Sequence, residues 1–187
     1  MRYSTDHKER SRERILQEAS ILLRQRGVDG VGLAEIMRQA GLTHGGFYAH
    51  FPSRDALVAE ALSAALDHTV GRLRDLAAAA PPDKRLAKVV RAYLSRAHRD
   101  DPGDGCVFAA LGGDIGRLPM ETRQRLNLHH ERLVALIAEG LAGLGRPPER
   151  APVILATMIG SLTMARLMPD AEAGQRLLND TATAILG

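Results

Sequence analysis

The stretch Gly41-Leu42-Thr43-His44-Gly45-Gly46-Phe47-Tyr48-Ala49-His50-Phe51 constrains the local fold more than any other part of the chain. Gly41 can end a helix in the left-handed conformation, and the Thr43 hydroxyl can cap the next one. That next helix is short and holds Gly45 and Gly46, each costing about 1 kcal/mol relative to alanine, so propensity alone argues against it. Phe47 and Phe51, four residues apart, share a face and can anchor it to a core. Thr43, His44, Tyr48 and His50 remain as hydrogen-bonding groups, and the glycines let a surface approach the backbone closely. A polar helix start, close approach and an aromatic anchor suit a recognition helix entering a DNA groove. A glycine-rich active-site loop or an ordinary tight corner is the alternative.

The rest of the chain reads as almost entirely helical. Runs of β-branched and aromatic residues are missing, and Ala, Leu, Arg and Glu dominate. No apolar run reaches the ~18–20 residues needed to span a membrane, and the charged start Met1–Arg14 does not resemble a secretory signal. One cysteine excludes an internal disulfide framework and fits a reducing cytoplasm. Charge is unevenly placed. Residues 1–54 carry nine Lys/Arg against six Asp/Glu, whereas residues 55–187 carry sixteen of each. The excess of three positive charges therefore sits in the N-terminal third, as a nucleic-acid-binding head on a neutral body requires. A weakly charged solvated face would look the same.

In chain order, Met1–Thr5 reads as a loose arm. Asp6 and Glu9 resemble a capping box, so a helix is expected from near His7 to Gly27, with Ile15, Ala19, Leu22 and Leu23 buried. Lys8, Arg10, Arg12 and Arg14 load its first turns with charge that the helix dipole disfavours and a phosphate backbone would offset. A second helix is expected over Leu33–Ala40, followed by the short helix described above, which gives a helix-turn-helix. Ser53 caps a long helix from Arg54 to Ala79, about 39 Å at 1.5 Å per residue and long enough to carry movement between domains. The body continues as helices over Asp83–Arg99, Cys106–Arg117, Pro119–Leu144, Glu149–Met168 and Ala171–Leu186, punctuated by Pro and Gly. The segment Glu149–Met168 is apolar on most sides and is expected to be buried on most sides. The whole predicts an all-α fold of about nine helices, with domains over residues 1–52 and 53–187.

Residues Leu33 to Leu57, above all Gly41 to Leu57, resemble the DNA-binding signature of the TetR family of transcriptional regulators. That pattern is a Gly-apolar-Ser/Thr turn, a Gly-containing recognition helix, an aromatic-Tyr pair, then Phe, a polar pair and Leu. The chain departs from it at Gly46, where Ser or Thr is common, at Met37, where a small Ala is common, and at Arg54, which replaces a common Lys. The resemblance implies a cytoplasmic homodimer, not an enzyme, that binds a near-palindromic double-stranded operator and releases it when the body takes up a small-molecule inducer. It assigns base-edge contacts to Thr43, His44 and Gly45 and phosphate contacts to Tyr48, His50 and Arg54. A small helical binding protein or enzyme with a merely basic N-terminal third is the competing reading.

The body shows no metal-ligand spacing, phosphate loop or nucleophile motif, and no cofactor is expected. His129 and His130 are adjacent and point in different directions on a helix. Tyr93 and Phe108, the two aromatics beyond residue 54, fall on helices that can wall a cavity, with Met158 adding to its lining. Cys106 follows Asp104-Gly105 at a helix start, where the dipole favours a thiolate and Asp104 opposes it. Some TetR-like regulators that respond to electrophiles or oxidants look similar here, which makes Cys106 a candidate sensor; a buried apolar cysteine is the other reading. The last two helices are expected to form the dimer contact, with Ala156 and Gly160 allowing close approach and Ile154, Leu177 and Ile185 supplying area.

Overall fold

Two glycines with left-handed φ close the first two helices. In the computed structural model, which describes residues 2–187 with side chains from His7 onward, α1 spans Arg2–Arg26 and stops at Gly27 with φ +83°. The second helix, α2, covers Leu33–Gln39 and ends before Gly41 with φ +69°. There the Leu42 N–H donates to the Met37 carbonyl at 2.9 Å, satisfying a carbonyl the helix end would leave bare. A side chain at Gly41 would strain this turn. Ile15, Ala19, Leu22 and Leu23 of α1 and Ile36 and Met37 of α2 are buried as their spacing predicts. The start of α1 differs from expectation. Residues 2–5 are already helical, so the arm expected there is part of the helix, and Asp6 with Glu9 lies within it rather than at a cap. Met1 lies outside the described residues.

The short helix is a single 3-10 stretch, His44–Ala49. It leads through Pro52 to α3, Arg54–Ala78, whose first turn is closed by the Ser53 hydroxyl accepting from the Ala56 N–H at 3.1 Å. At 25 residues α3 is about 37 Å long, and it packs on α1 at one end and on the body at the other. Leu57, Ala61, Leu62, Ala65, Leu66 and Leu73 form its buried face.

The region Asp83–Arg99 is not one helix. A 3-10 turn at Pro82–Lys84 leads into α4, Arg85–Tyr93, and a break at Leu94 precedes α5, Arg96–Asp100. Ser95 causes the break to hold: its hydroxyl accepts from the His98 N–H at 3.2 Å, an N-cap in place of a continued helix. After a 3-10 turn at Pro102–Asp104 comes α6, Val107–Ile115, with Cys106 as its N-cap residue and a kink at Leu111 just before Gly112-Gly113. The remaining helices are α7, Met120–Ala142, then α8, Ala151–Leu167, entered through a 3-10 turn at Pro148–Arg150, and α9, Ala171–Leu186. Nine α-helices and no strand occur among the described residues, an all-α fold as expected. One continuous apolar core runs from α1 and α2 through α3 to α7, α8 and α9.

The outer face of α8 corrects the expectation that this helix is buried on most sides. Val153, Met164 and Leu167 are 69%, 51% and 68% exposed, and Ala156 and Gly160 lie between them on the same open face. Ile154 and Ile185, read from sequence as interface residues, instead belong to the protomer's own core, and Leu177 is half-buried. A helix that is apolar all round does not reveal from its periodicity which stripe turns inward.

Candidate nucleic-acid interface

The candidate interface is built on an aromatic pair. Phe47 and Phe51 are almost fully buried, with rings stacked at 5.8 Å, and they fix the 3-10 helix to the core between α1 and α3. Arg12 of α1 places its guanidinium 4.7 Å from the Phe51 ring and pairs with Glu60 of α3. Arg12 therefore stitches α1 to α3 across the back of the helix. Tyr48 is turned the other way. Its ring meets Phe47 edge-on at 5.1 Å, and the residue is 70% exposed.

Thr43, His44 and Gly45 are exposed, as Tyr48 is. The Thr43 hydroxyl does not cap the helix as expected; the Gly46 N–H bonds to the Thr43 backbone carbonyl at 3.0 Å instead. A Cβ on Gly45 would meet nothing within 4 Å. The protomer itself therefore has no packing reason for glycine at this position, which leaves room for close approach from outside.

His50 is half-buried at the far end of the helix. Its Nδ1 is buried and lacks a hydrogen-bond partner. Burial first, and then the charges of Lys8, Arg12 and His7, push its pKa below the usual histidine value. These groups put a cationic corner of α1 beside the recognition helix. Arg54 does not join this set. Its Nη2 donates to the carbonyls of Val28 and Val31, so it pins the loop between α1 and α2. This use was hidden in the sequence, because both acceptors are backbone atoms more than twenty residues away.

The head is tied to the body by further hydrogen bonds that local patterns do not announce. Arg24, buried near the end of α1, donates through Nη1 to the Gly105 carbonyl at 2.7 Å. The Val28 N–H donates to Asp114 Oδ2 of α6 at 2.9 Å.

Of the residues expected to line a ligand cavity, Tyr93, Cys106 and Met158 are buried and Phe108 is half-buried. Tyr93 and Cys106 come together. Burial pushes both the Tyr93 hydroxyl and the Cys106 thiol to higher pKa, and each stands in the other's field. The thiol at the start of α6 is thus held protonated, against the expected pull of the helix dipole. The Tyr93 hydroxyl makes no well-formed hydrogen bond. Phe108 turns away toward His130, edge-on at 6.0 Å, while His129 lies 3.6 Å from Asp67 of α3, so the two histidines point apart. A cavity of about 550 Å³ between α1 and α3 is lined by none of the four.

His98, which no sequence pattern singled out, connects this cluster. The Cys106 N–H donates to its Nε2 at 2.8 Å, so the ring proton sits on Nδ1 and is donated to the Tyr93 carbonyl at 2.6 Å. Arg166 of α8 donates to the His98 carbonyl at 2.6 Å.

Residues 15–61 match the model of a family described as bacterial regulatory proteins, tetR family. The chain is 26% identical over 171 residues to an uncharacterized HTH-type transcriptional regulator of Mycobacterium tuberculosis, covering 85% of this chain and 86% of that one. It is 24% identical over 178 residues to the HTH-type transcriptional repressor NemR of Escherichia coli, covering 89% and 88%. The crystal structure of reduced E. coli NemR superposes with a TM-score of 0.78 over 91% of this chain and 94% of that one, at 23% identity. A TetR-family regulator from Streptomyces coelicolor superposes with a TM-score of 0.80 at 20% identity, over 95% of each chain.

Proposed function

We propose that this chain, a DNA-binding transcriptional regulator of the tetR family, is a repressor that grips a near-palindromic operator as a homodimer and releases it when a small molecule enters its body. One observation carries the reading: a buried Phe47–Phe51 pair holds up a short helix whose exposed residues are His44, Gly45, Tyr48 and the small Ala49, beside a cationic corner of α1. Residues 1–52 form the head and residues 53–187 the ligand-binding and dimerisation body. Thr43, His44 and Gly45 meet base edges in the major groove, while Tyr48 and His50 meet phosphates. Arg54 contributes by fixing the loop behind them. In the dimer, two such helices stand about one DNA turn, ~34 Å, apart. The outward face of α8, centred on Ala156 and Gly160, makes the dimer contact, with Leu177 of α9 at its edge. No helix among the described residues is long and apolar enough to cross a membrane, in keeping with work in the cytoplasm.

Titrating the protein into labelled DNA from the intergenic region upstream of its own coding sequence tests this by fluorescence anisotropy. A specific dissociation constant on the order of 10⁻⁸–10⁻¹¹ M that weakens steeply with salt is expected. Affinity no better than for random DNA would instead favour a small helical binding protein with a basic end.

The inducer acts through the cluster of Tyr93 and Cys106, with Phe108 and Met158 on neighbouring helices. The Cys106 thiol is buried and protonated in this state, so a reactive small molecule meets it only when the start of α6 opens, and the adduct then adds bulk where none fits. That bulk moves Gly105, and with it the carbonyl that holds Arg24 of α1. A Cys106→Ser protein is expected to bind operator normally yet stay bound when oxidants or electrophiles release the wild type. Normal release of the variant by all of them would remove Cys106 from the mechanism.

A further inference from the structure

A groove runs along α1 where it faces α3 and the 3-10 turn Pro102–Asp104, and it encloses about 550 Å³. That volume falls within the range of small-molecule sites. Its inner wall is largely aliphatic, from Leu16 and Ile21 of α1 and Ala64 and Ala65 of α3. Its rim is acidic: Glu13 comes from α1 on one side, Asp101 and Asp104 from the turn on the other, and all three are exposed. Among the described residues, Arg24 is the one Lys or Arg in the lining, and all three of its nitrogens are engaged within the protein. Its Nε donates to the Ser20 carbonyl at 2.9 Å, Nη1 to the Gly105 carbonyl at 2.7 Å and Nη2 to the Ser20 hydroxyl at 3.3 Å. An anion entering the groove would therefore meet three carboxylates against one guanidinium, whose hydrogen-bond donors are already used. A cation would meet carboxylates at both ends of an apolar trough. Among the described residues, Glu13 takes part in no ion pair, and Asp104 lies 4.0 Å from the exposed ring of His68 and in the field of Arg24.

We propose that this groove binds an organic cation with an aliphatic body, such as a linear diamine. The charges sit at the rim and the apolar surface lies between them, so a molecule with amines at its ends and methylenes in the middle matches both. The occupant touches the DNA-contacting part through α1 and the body through α3 and the 101–104 turn. It therefore holds the two in the relative position seen here. The groove is separate from the buried cluster of Tyr93 and Cys106, and the inference rests on its geometry alone.

Isothermal titration calorimetry on the full chain without DNA tests it, with 1,8-diaminooctane as the probe and octanoate as the control of opposite charge. The diamine is expected to bind saturably, one per chain, and octanoate not at all. A Glu13→Gln, Asp104→Asn double variant, altered only at exposed side chains, is expected to bind about tenfold or more weakly. Ala64→Trp, which fills the groove from an exposed position on α3, is expected to abolish binding. Hydrogen–deuterium exchange should show the diamine slowing exchange in residues 13–25 and 101–104. No binding by the wild type, equal binding of octanoate, unchanged affinity in both variants, or protection confined to other segments would each overturn the proposal. None of these outcomes depends on whether the chain represses transcription.

Discussion

At the scale of single residues, His98 shows how a titratable group can serve as a fixed connector. Both ring nitrogens are bonded, and burial, with Arg166 and Arg72 adding to it, drops the pKa from 6.5 to about 4. The folded state therefore resists a proton that the unfolded chain accepts, so the unfolded state binds more protons between those two values. Stability is full above about pH 6.5, falls as the pH drops through that window and levels off near pH 4, a loss of roughly 3 kcal/mol. Urea unfolding at about pH 7 and pH 5 is expected to give a lower midpoint at pH 5, and a His98→Gln protein should lose less between the two. Equal losses would place the sensitivity elsewhere. Tyr48 makes the opposite case: its ring leans on Phe47, but its hydroxyl points out of a residue that is 70% exposed. Tyr48→Phe is expected to leave folding unchanged and weaken binding to every DNA sequence alike by about 1 kcal/mol, as loss of one phosphate hydrogen bond does. Unchanged affinity in anisotropy titrations would remove Tyr48 from the interface. Phe47, Phe51 and Tyr48 could be read from sequence because their spacing on a single turn separates anchor from contact. The roles of His98 and Arg54 could not, because each depends on backbone carbonyls or amides brought near by the fold.

At the scale of elements, the helices were legible wherever a glycine, proline or capping serine coincided with a change in apolar periodicity. Gly41 and Ser53 mark their boundaries this way. The α4–α5 break was not legible, because Val89, Val90, Tyr93 and Leu94 keep a helical period up to the residue where the Ser95 hydroxyl takes over the His98 N–H. The start of α1 was missed for a related reason: a capping-box pattern occurs inside a helix that begins earlier. The recognition helix combines local weakness with a proposed external use, and the two can be separated. Gly45→Ala adds a methyl into open space, so it is expected to stabilise the fold by a few tenths of a kcal/mol up to about 1 kcal/mol. The same methyl sits where DNA is proposed to approach, so operator affinity is expected to fall. Thermal unfolding and anisotropy on one preparation check both signs. A rise in stability with affinity intact would mean that the glycine is not there for the DNA.

At the scale of the molecule, the open face of α8 is where the proposed second copy would sit. Three of the seven exposed large hydrophobic residues among those described, Val153, Met164 and Leu167, lie along this one helix, with Ala156 and Gly160 between them. Scattered singly they would need no partner, but aligned on one face they form a patch that a second copy can cover by two-fold symmetry. The inward residues Ile154, Met158 and Leu162 are already used by the protomer's own core, so replacing them would test folding rather than assembly. Gly160 is the informative position. A Cβ there meets nothing within 4 Å, so Gly160→Glu is compatible with the folded protomer, yet it puts a charge at the middle of the patch. Sedimentation at micromolar concentration is expected to show a dimer for the wild type and a monomer for the variant, with helical circular dichroism retained. The operator reading then makes a linked demand. A monomer brings one recognition helix instead of two, so it forfeits the gain of tethered half-site binding and its affinity for the full operator should fall to near that for a single half-site. A variant that is monomeric yet binds the full operator as tightly as the wild type would break the link between this face and DNA recognition, even if the head itself is read correctly.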